Sequence, residues 1–402
     1  MTASCAVRFI FFVGFCRLFV PESFAQSALQ QQKEPSKPAL PVEIAEDVGV
    51  GLVETLFLFD RLFTKSRTAI SPGYLERVSE PSSKFYPDYL KYKQGRINRA
   101  EIVRRLPHIA MLGDSLCQNF YISAVPSMFW RARTEHRKNW FLNTDSSPQS
   151  IYSVYERLLK FTPLVATEYS CDGAKVGPGQ TPEDFSRKLA GVRNLSGQVR
   201  QVLRKKRFPD LVMIWIGHNN TDWVKELSAA EREHPRRRLQ EMARQFGENY
   251  IQSMRPLIDR AKTEDHRVAL VVFGLADYKT FFKCRQRAEV LRASNPALYP
   301  NFAISYQRFQ SFKPVYQKDT TRLNLMMDGE LRAAVANLNR ELKDCPNVRL
   351  QYSDAFSNYK IRLEMLRSED AWHLSRIGHN VVAGAALTAL PPSLQFLGIV
   401  PK

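Results

Sequence analysis

The residues of this sequence that could carry out chemistry are a serine and, far from it along the chain, a histidine with an aspartate close by. Ser115 stands in the stretch Gly113-Asp114-Ser115-Leu116, directly after a short apolar run, so it falls on a strand-to-helix turn. A serine nucleophile needs a general base, and the base needs a group that orients it. His373 has a carboxylate, Asp370, three residues before it. The pattern predicts a Ser–His–Asp arrangement for acyl transfer; the alternative is that Ser115 caps the next helix.

The other histidines are weaker candidates for the general base. His379 has Arg376 at the spacing at which His373 has Asp370. We expect the remaining five to be structural or exposed: His108, His136, His218, His234 and His266.

Acyl transfer also needs hydrogen-bond donors for the oxyanion of the tetrahedral intermediate. Two candidates follow two further apolar runs: Gly173 in Ser-Cys-Asp-Gly-Ala and Asn219 in Gly-His-Asn-Asn. A glycine lets its backbone N–H approach a ligand closely, and an asparagine offers a side-chain amide. Each could also be a plain turn residue. With Ser115 and His373, these two residues make four coincidences at the ends of apolar runs, which favours oxyanion donors at Gly173 and Asn219 over plain turn residues.

The elements that must position these residues are short apolar runs that alternate with longer segments of helical periodicity. This alternation predicts βαβ units and a three-layer α/β/α, doubly wound fold with a mostly parallel five-stranded sheet. The predicted strands are His108–Leu112, Leu164–Tyr169, Leu211–Ile216, Val268–Phe273 and Val348–Tyr352. The predicted helices lie near Pro126–His136, Pro182–Lys206, Leu239–Ala261, Leu323–Leu342 and Ile377–Leu390.

With Ser115, Gly173, Asn219 and His373 in this order, the sequence resembles the SGNH, or GDSL-type, serine hydrolase family, whose four sequence blocks contribute a Ser, a Gly, an Asn and a His. The resemblance implies a flavodoxin-like fold and ester hydrolysis through an acyl-serine without metal or other cofactor. It implies that Ser115 is the nucleophile, His373 the general base and acid, Asp370 its orienting group, and Ser115, Gly173 and Asn219 the oxyanion hole. The third block departs from the family pattern because Asn220 stands where Asp is usual. The second block lacks the usual Asn shortly before Gly173.

The chain divides into segments of different composition. Residues 1–25 resemble a secretory signal peptide, with an uncleaved anchor or a buried helix as alternatives, and this predicts a secreted or periplasmic protein. Residues 26–45 read as a flexible linker and 46–105 as an N-terminal extension, in which 64–100 look irregular. The hydrolase domain spans 106–395 with an aromatic-rich insertion at 277–321. That insertion is either a cap over the site or a self-packed subdomain remote from it.

The net charge of the chain indicates its partners, and its cysteines raise the question of disulfide bonds. The chain has 402 residues, 44% of them hydrophobic, and a formal net charge of +18, which excludes a disordered acidic protein and favours anionic partners such as a membrane or cell-wall surface. No nucleic-acid motif is present. Beyond the signal peptide, the cysteines are either disulfide-bonded or buried thiols: Cys117, Cys171, Cys284 and Cys345.

The expected substrate is a carboxylic ester, with lipid or other acyl esters favoured. An O-acetylated polysaccharide or peptidoglycan is the alternative substrate. A non-catalytic anion-binding protein on the same scaffold is the second alternative function.

Overall fold

A computed structural model describes residues 67–123, 131–145, 147, 150–177, 194–300, 302 and 310–400. The predicted signal peptide, the linker and the start of the extension lie outside the described residues. The centre of the fold is a six-stranded sheet. Its strands are β1 Thr68–Ile70, β2 His108–Gly113, β5 Val165–Glu168, β6 Leu211–Trp215, β7 Val268–Phe273 and β8 Val348–Ser353. In space they lie in the order β1-β5-β2-β6-β7-β8.

Five strands run parallel, and they are the five that the apolar runs predict. Strands β6 and β7 are buried along their whole length, because helices cover both faces of the sheet. Along β2, Ala110 and Leu112 face one apolar core while Ile109 and Met111 face the other. The three-layer, doubly wound α/β/α class is therefore confirmed.

The helices divide between the two faces. Helices α5 Leu195–Leu203, α7 Arg236–Lys262 and α9 Gln317–Glu341 pack on one face. Helices α4 Val154–Leu158, α8 Tyr278–Ser294, α10 Arg376–Ala389 and α11 Pro391–Phe396 pack on the other. A short helix, α6 Ala229–Glu233, precedes α7, and single 3-10 helices cover Ser115–Cys117, His218–Glu226, Gln310–Phe312 and Leu363–Met365. Every described helix lacks the length or the apolar character needed to cross a membrane.

The N-terminal extension supplies the sixth strand, which corrects the predicted count of five. β1 pairs antiparallel with β5 at the sheet edge. The segment 64–100, expected to be irregular, contains helices α1 Tyr74–Ser79 and α2 Tyr86–Lys93 in its described part, and α3 Arg99–Arg105 follows. These helices form because they bury a small cluster, including Val78, Ile102 and Leu106, against Val165 of β5.

The helix expected near Pro126–His136 is wrong over its described part. Residues Arg131–Glu135 form strand β4, which pairs antiparallel with β3 Asn119–Ser123 in a separate two-stranded sheet. The strand-favouring sequence Asn-Phe-Tyr-Ile-Ser of β3 gives β4 a partner, and this pairing outweighs the local helical period. In the segment predicted as a helix from Pro182, α5 begins at Leu195, while 178–193 lie outside the described residues.

The four cysteines beyond the signal peptide all lie among the described residues. Cys117, Cys171, Cys284 and Cys345 form no disulfide with one another. Cys117 and Cys171 are buried and Cys284 and Cys345 are half-buried, so the expectation of buried thiols holds for the first two.

Candidate active site

Ser115 lies on a turn made tight by the glycine at the end of β2. A Cβ atom on Gly113 would lie 2.2 Å from Cys117 Sγ and 2.8 Å from the Trp215 carbonyl oxygen, so the turn has no space for a side chain. The backbone N–H and C=O of Gly113 are both held by the side-chain amide of Gln198, at 2.8 and 2.7 Å. Asp114 caps the next turn by accepting from the Leu116 N–H at 3.0 Å. The cap is therefore Asp114, and the Ser115 hydroxyl has a different partner.

That partner is His373, which lies between Ser115 and Asp370. The distance from Ser115 Oγ to His373 Nε2 is 3.2 Å, and His373 Nδ1 lies 2.6 Å from Asp370 Oδ2. The residues Ser115, His373 and Asp370 are 4%, 1% and 1% exposed, so water scarcely competes for these hydrogen bonds. The structure thus brings together the three residues of the predicted triad.

The carboxylate of Asp370 is held by its own loop. Its Oδ1 accepts from the Trp372 N–H at 2.9 Å and from the His373 N–H at 3.1 Å. Burial alone would raise the pKa of Asp370, but the charge and hydrogen bond of His373 and the two N–H donors outweigh it and lower the pKa. The carboxylate stays ionised and accepts a hydrogen bond from His373 Nδ1.

The two predicted oxyanion donors follow the strands on either side of β2. Gly173 comes after β5 and Asn219 after β6, and the order β5-β2-β6 puts them on opposite flanks of the turn that carries Ser115. Gly173 has φ +64°, in the left-handed region that favours glycine. Asn219 Nδ2 donates to the Ala174 carbonyl oxygen at 3.0 Å, which ties the two loops together. A side-chain amide has two hydrogens, and this bond uses one of them.

A second buried histidine–aspartate pair includes Asp114, the residue before Ser115, and the sequence did not reveal its role. His218 Nδ1 is 2.7 Å from Asp114 Oδ2, and its Nε2 accepts from the Ala276 N–H at 3.2 Å. The imidazole therefore links the loops after β2, β6 and β7. A signal was available, since His218 directly precedes Asn219 at a predicted strand end.

The remaining histidines are dispersed. His136 is buried at 2.7 Å from Glu168 Oε2, His108 and His266 are half-buried, and His234 is exposed. His379 is fully buried, and in the described structure neither of its ring nitrogens has a hydrogen-bond partner. Burial, reinforced by the charges of Arg367 and His373, lowers the pKa of His379 well below its ordinary value, so this side chain is neutral.

The aromatic-rich insertion packs behind the loop that carries Asp370 and His373. The Trp372 ring lies 4.5 Å from that of Phe281, 4.6 Å from Phe312 and 5.7 Å from Tyr278. In its described part the insertion is therefore neither a self-packed subdomain nor remote from the chemistry.

An apolar cavity of about 40 Å³ adjoins the same loop. Its lining includes Leu116, which directly follows Ser115, and Trp372, which directly precedes His373. The remaining lining is almost wholly apolar: Trp215, Ala276, Phe281, Phe356, Tyr359, Ile361, Met365, Leu366, Leu374, Val382 and Ala385.

One group of described residues has the donor atoms to hold a metal ion: Glu264, Asp265 and His266, with candidate atoms within 4.8 Å of one another. They precede β7, at the amino-terminal edge of the sheet, whereas Ser115 follows β2 at the carboxyl edge. The group takes no part in the site described above.

The fold and site define a three-layer α/β/α protein that gathers a serine, a histidine and an aspartate at the carboxyl edge of a parallel sheet. The model of the GDSL-like Lipase/Acylhydrolase family matches residues 109–386, well over half of the chain. The chain belongs to this family and is therefore a hydrolase that acts on esters. No curated protein matches the sequence. One solved crystal structure aligns with 72% of this chain and 99% of its own, at 11% identity and a TM-score of 0.40.

Proposed function

We propose that this protein is a serine esterase that hydrolyses carboxylic esters through an acyl-serine intermediate, with Ser115 as nucleophile. The observation that carries the proposal is the continuous hydrogen-bonded chain from Ser115 Oγ through His373 to Asp370, at 3.2 and 2.6 Å. Distances of this size are what proton transfer between a nucleophile and its base requires.

In the first half-reaction, His373 Nε2 takes the proton of Ser115 Oγ as that oxygen bonds to the ester carbonyl carbon. The carboxylate of Asp370 stabilises the imidazolium that forms. When the tetrahedral intermediate collapses, His373 gives the proton to the departing alkoxide, and an alcohol leaves. A water molecule then repeats the sequence on the acyl-serine and releases the carboxylic acid.

The negative charge of the tetrahedral intermediate requires hydrogen-bond donors around the position of its oxygen. We assign these to the Ser115 N–H, the Gly173 N–H and the second amide hydrogen of Asn219. The assignment is supported by the strand order and by the bond from Asn219 to Ala174, which holds the amide in a fixed orientation. Donors of this kind each supply about 3 kcal/mol to the transition state.

For the substrate, we propose an acyl ester in preference to an acetylated glycan. The apolar cavity supports this choice, because its lining includes the residue after Ser115 and the residues before and after His373, and it offers almost no polar groups to a sugar. Its volume of about 40 Å³ suits a short acyl group, and a longer chain would require the lining to move. Polysaccharide or peptidoglycan O-acetyl groups and a non-catalytic anion binder are the competing functions.

The test compares hydrolysis of p-nitrophenyl acetate, butyrate and palmitate by the purified protein and by Ser115→Ala. We expect ester hydrolysis that the substitution lowers by several orders of magnitude while the fold is unchanged. Equal activity in Ser115→Ala would refute the nucleophile. A folded protein inactive on all three esters would favour the glycan deacetylase or the anion binder.

The proposed location is outside the cytoplasm, as a secreted or periplasmic enzyme whose residues 1–25 are removed. The formal net charge of +18 supports a substrate presented at an anionic membrane or cell-wall surface. Mass spectrometry of the mature N-terminus tests the cleavage, and binding to anionic against neutral phospholipid vesicles tests the surface.

A further inference from the structure

Arg285, in α8 of the aromatic insertion, is a fully buried cation. It contacts the loop that carries Asp370 and His373, which we call the acid–base loop. Its exposed fraction is 0%. Its Nη1 donates to the Asp370 carbonyl oxygen at 3.0 Å and lies 3.5 Å from that of Ala371. The guanidinium is therefore bonded to the backbone of the residue whose side chain orients His373.

Aromatic rings of the insertion hold this guanidinium in place. Arg285 Cζ lies 4.2 Å from the ring centre of Phe302, 5.1 Å from that of Phe312 and 5.8 Å from that of Phe281. Burying a cation is costly unless such contacts and hydrogen bonds compensate for lost hydration. Two of these rings, Phe281 and Phe312, also pack on Trp372, so one aromatic cluster holds both the cation and the loop.

The backbone that Arg285 contacts adopts an unfavourable conformation. Ala371 has φ +50°, in the left-handed region that residues with a side chain rarely adopt. It is fully buried beside Ala288 of α8 and Phe302. A strained turn of this kind persists only when the contacts around it hold it in place, and here residues of the insertion make those contacts.

We propose that Arg285 is a positioning residue that, through its bond to the Asp370 carbonyl, keeps the Asp370 carboxylate aimed at His373. The insertion is thereby part of the apparatus that aligns the general base. This inference rests on the proposed function. If the bond is lost, the turn at Ala371 can relax, and a displacement of about 1 Å in a catalytic group costs about 10²-fold in rate.

The test is Arg285→Met in the full chain, with Arg287→Met as the matched control. Arg287 lies on the same helix and is exposed. We expect Arg285→Met to lower kcat on p-nitrophenyl acetate about 10²-fold at unchanged KM, and Arg287→Met to match the unchanged protein. The downfield proton NMR signal of the His373 Nδ1–H bonded to Asp370 should weaken or shift in Arg285→Met alone. Adding Ala371→Gly, which adopts φ +50° without strain, should restore part of the lost kcat.

Three results would overturn the inference. They are an unchanged kcat and NMR signal in Arg285→Met, equal losses of kcat in both variants, or a change in KM with kcat unchanged. If Arg285→Met does not fold, the same kcat and NMR criteria are applied to Arg285→Lys, because a lysine keeps the charge but lacks the planar fork of the guanidinium. Activity that survives Ser115→Ala would refute the proposed function instead, and the NMR signal would still decide the role of Arg285.

Discussion

Replacing Asp370 with asparagine tests the acid–base chain most directly. In the structure, Asp370 Oδ1 accepts from the N–H groups of Trp372 and His373, and Oδ2 accepts from His373 Nδ1. An asparagine must keep its oxygen toward the two backbone N–H groups, because its amide group cannot accept from them. Its NH₂ then faces His373 Nδ1, and a donor there requires Nδ1 to be the unprotonated nitrogen.

The imidazole would then carry its proton on Nε2, the nitrogen that lies 3.2 Å from Ser115 Oγ. A protonated Nε2 cannot take the serine proton, so the defect concerns the tautomer and leaves the positions of the atoms nearly unchanged. The same exchange in a Ser–His–Asp site costs about 10⁴-fold in kcat, or about 5 kcal/mol of transition-state stabilisation. We expect a loss of that order on p-nitrophenyl acetate, with little change in KM or melting temperature.

Asp210→Asn is the control for this experiment. Asp210 also accepts from a backbone N–H, that of His108 at 2.6 Å, but it precedes β6 at the opposite edge of the sheet. Its asparagine variant should keep kcat within a few-fold. A loss below about 10-fold in folded Asp370→Asn, or equal losses in the two variants, would refute the reasoning that Asp370 selects the tautomer of His373.

Three further predictions concern the oxyanion, acid stability and packing. Asn219→Ala should lower kcat by about 10²–10³ with KM unchanged, measured on the same ester. Burial and, to a lesser degree, the positive charges nearby lower the pKa of His108 to about 4. The unfolded chain therefore binds more protons than the folded chain between about pH 6.5 and 4, and the folded state loses stability as the pH falls through that window. His108→Gln should reduce the loss in unfolding free energy between pH 7 and 4.5 by about 2 kcal/mol in urea titrations. Gly378→Ala would put a Cβ 2.1 Å from the Met365 carbonyl oxygen, so despite the roughly 1 kcal/mol helix preference for Ala it should lower the melting temperature.

The sequence was sufficient to predict the central strands and to predict that Ser115, His373 and Asp370 lie close together. A parallel strand buried on both faces is a continuous apolar run, so β6 and β7 stand out, and residues after parallel strands meet at one edge. The edge strand β1 has three residues and no periodicity to recognise. It forms because β5, about a hundred residues away, pairs with it, and the local sequence pattern cannot show a partner that far along the chain.

The buried pairings of His218 and His136 could not be predicted for the same reason. His218 and Asp114 are 104 residues apart, and His136 and Glu168 are 32 apart. Nothing in the spacing of either pair distinguishes a buried partner from an exposed one. The apolar residues of 277–321 were similarly uninformative, because Phe281 packs on Trp372 while Val290 on the same helix is 67% exposed.

The asparagine at position 220, where the family usually has aspartate, acquires a physical reason from the structure. Asn220 Oδ1 accepts from the Val176 N–H at 2.9 Å, and its Nδ2 donates to the Val176 carbonyl oxygen at 2.8 Å. An aspartate could accept the first bond, but it would place a second acceptor against the carbonyl. The amide thus pairs with the loop after β5 as a neighbouring strand would, and it adjoins Asn219, which bonds to Ala174 of that loop. In this chain the substitution stabilises the contact between the two loops that carry the proposed oxyanion donors.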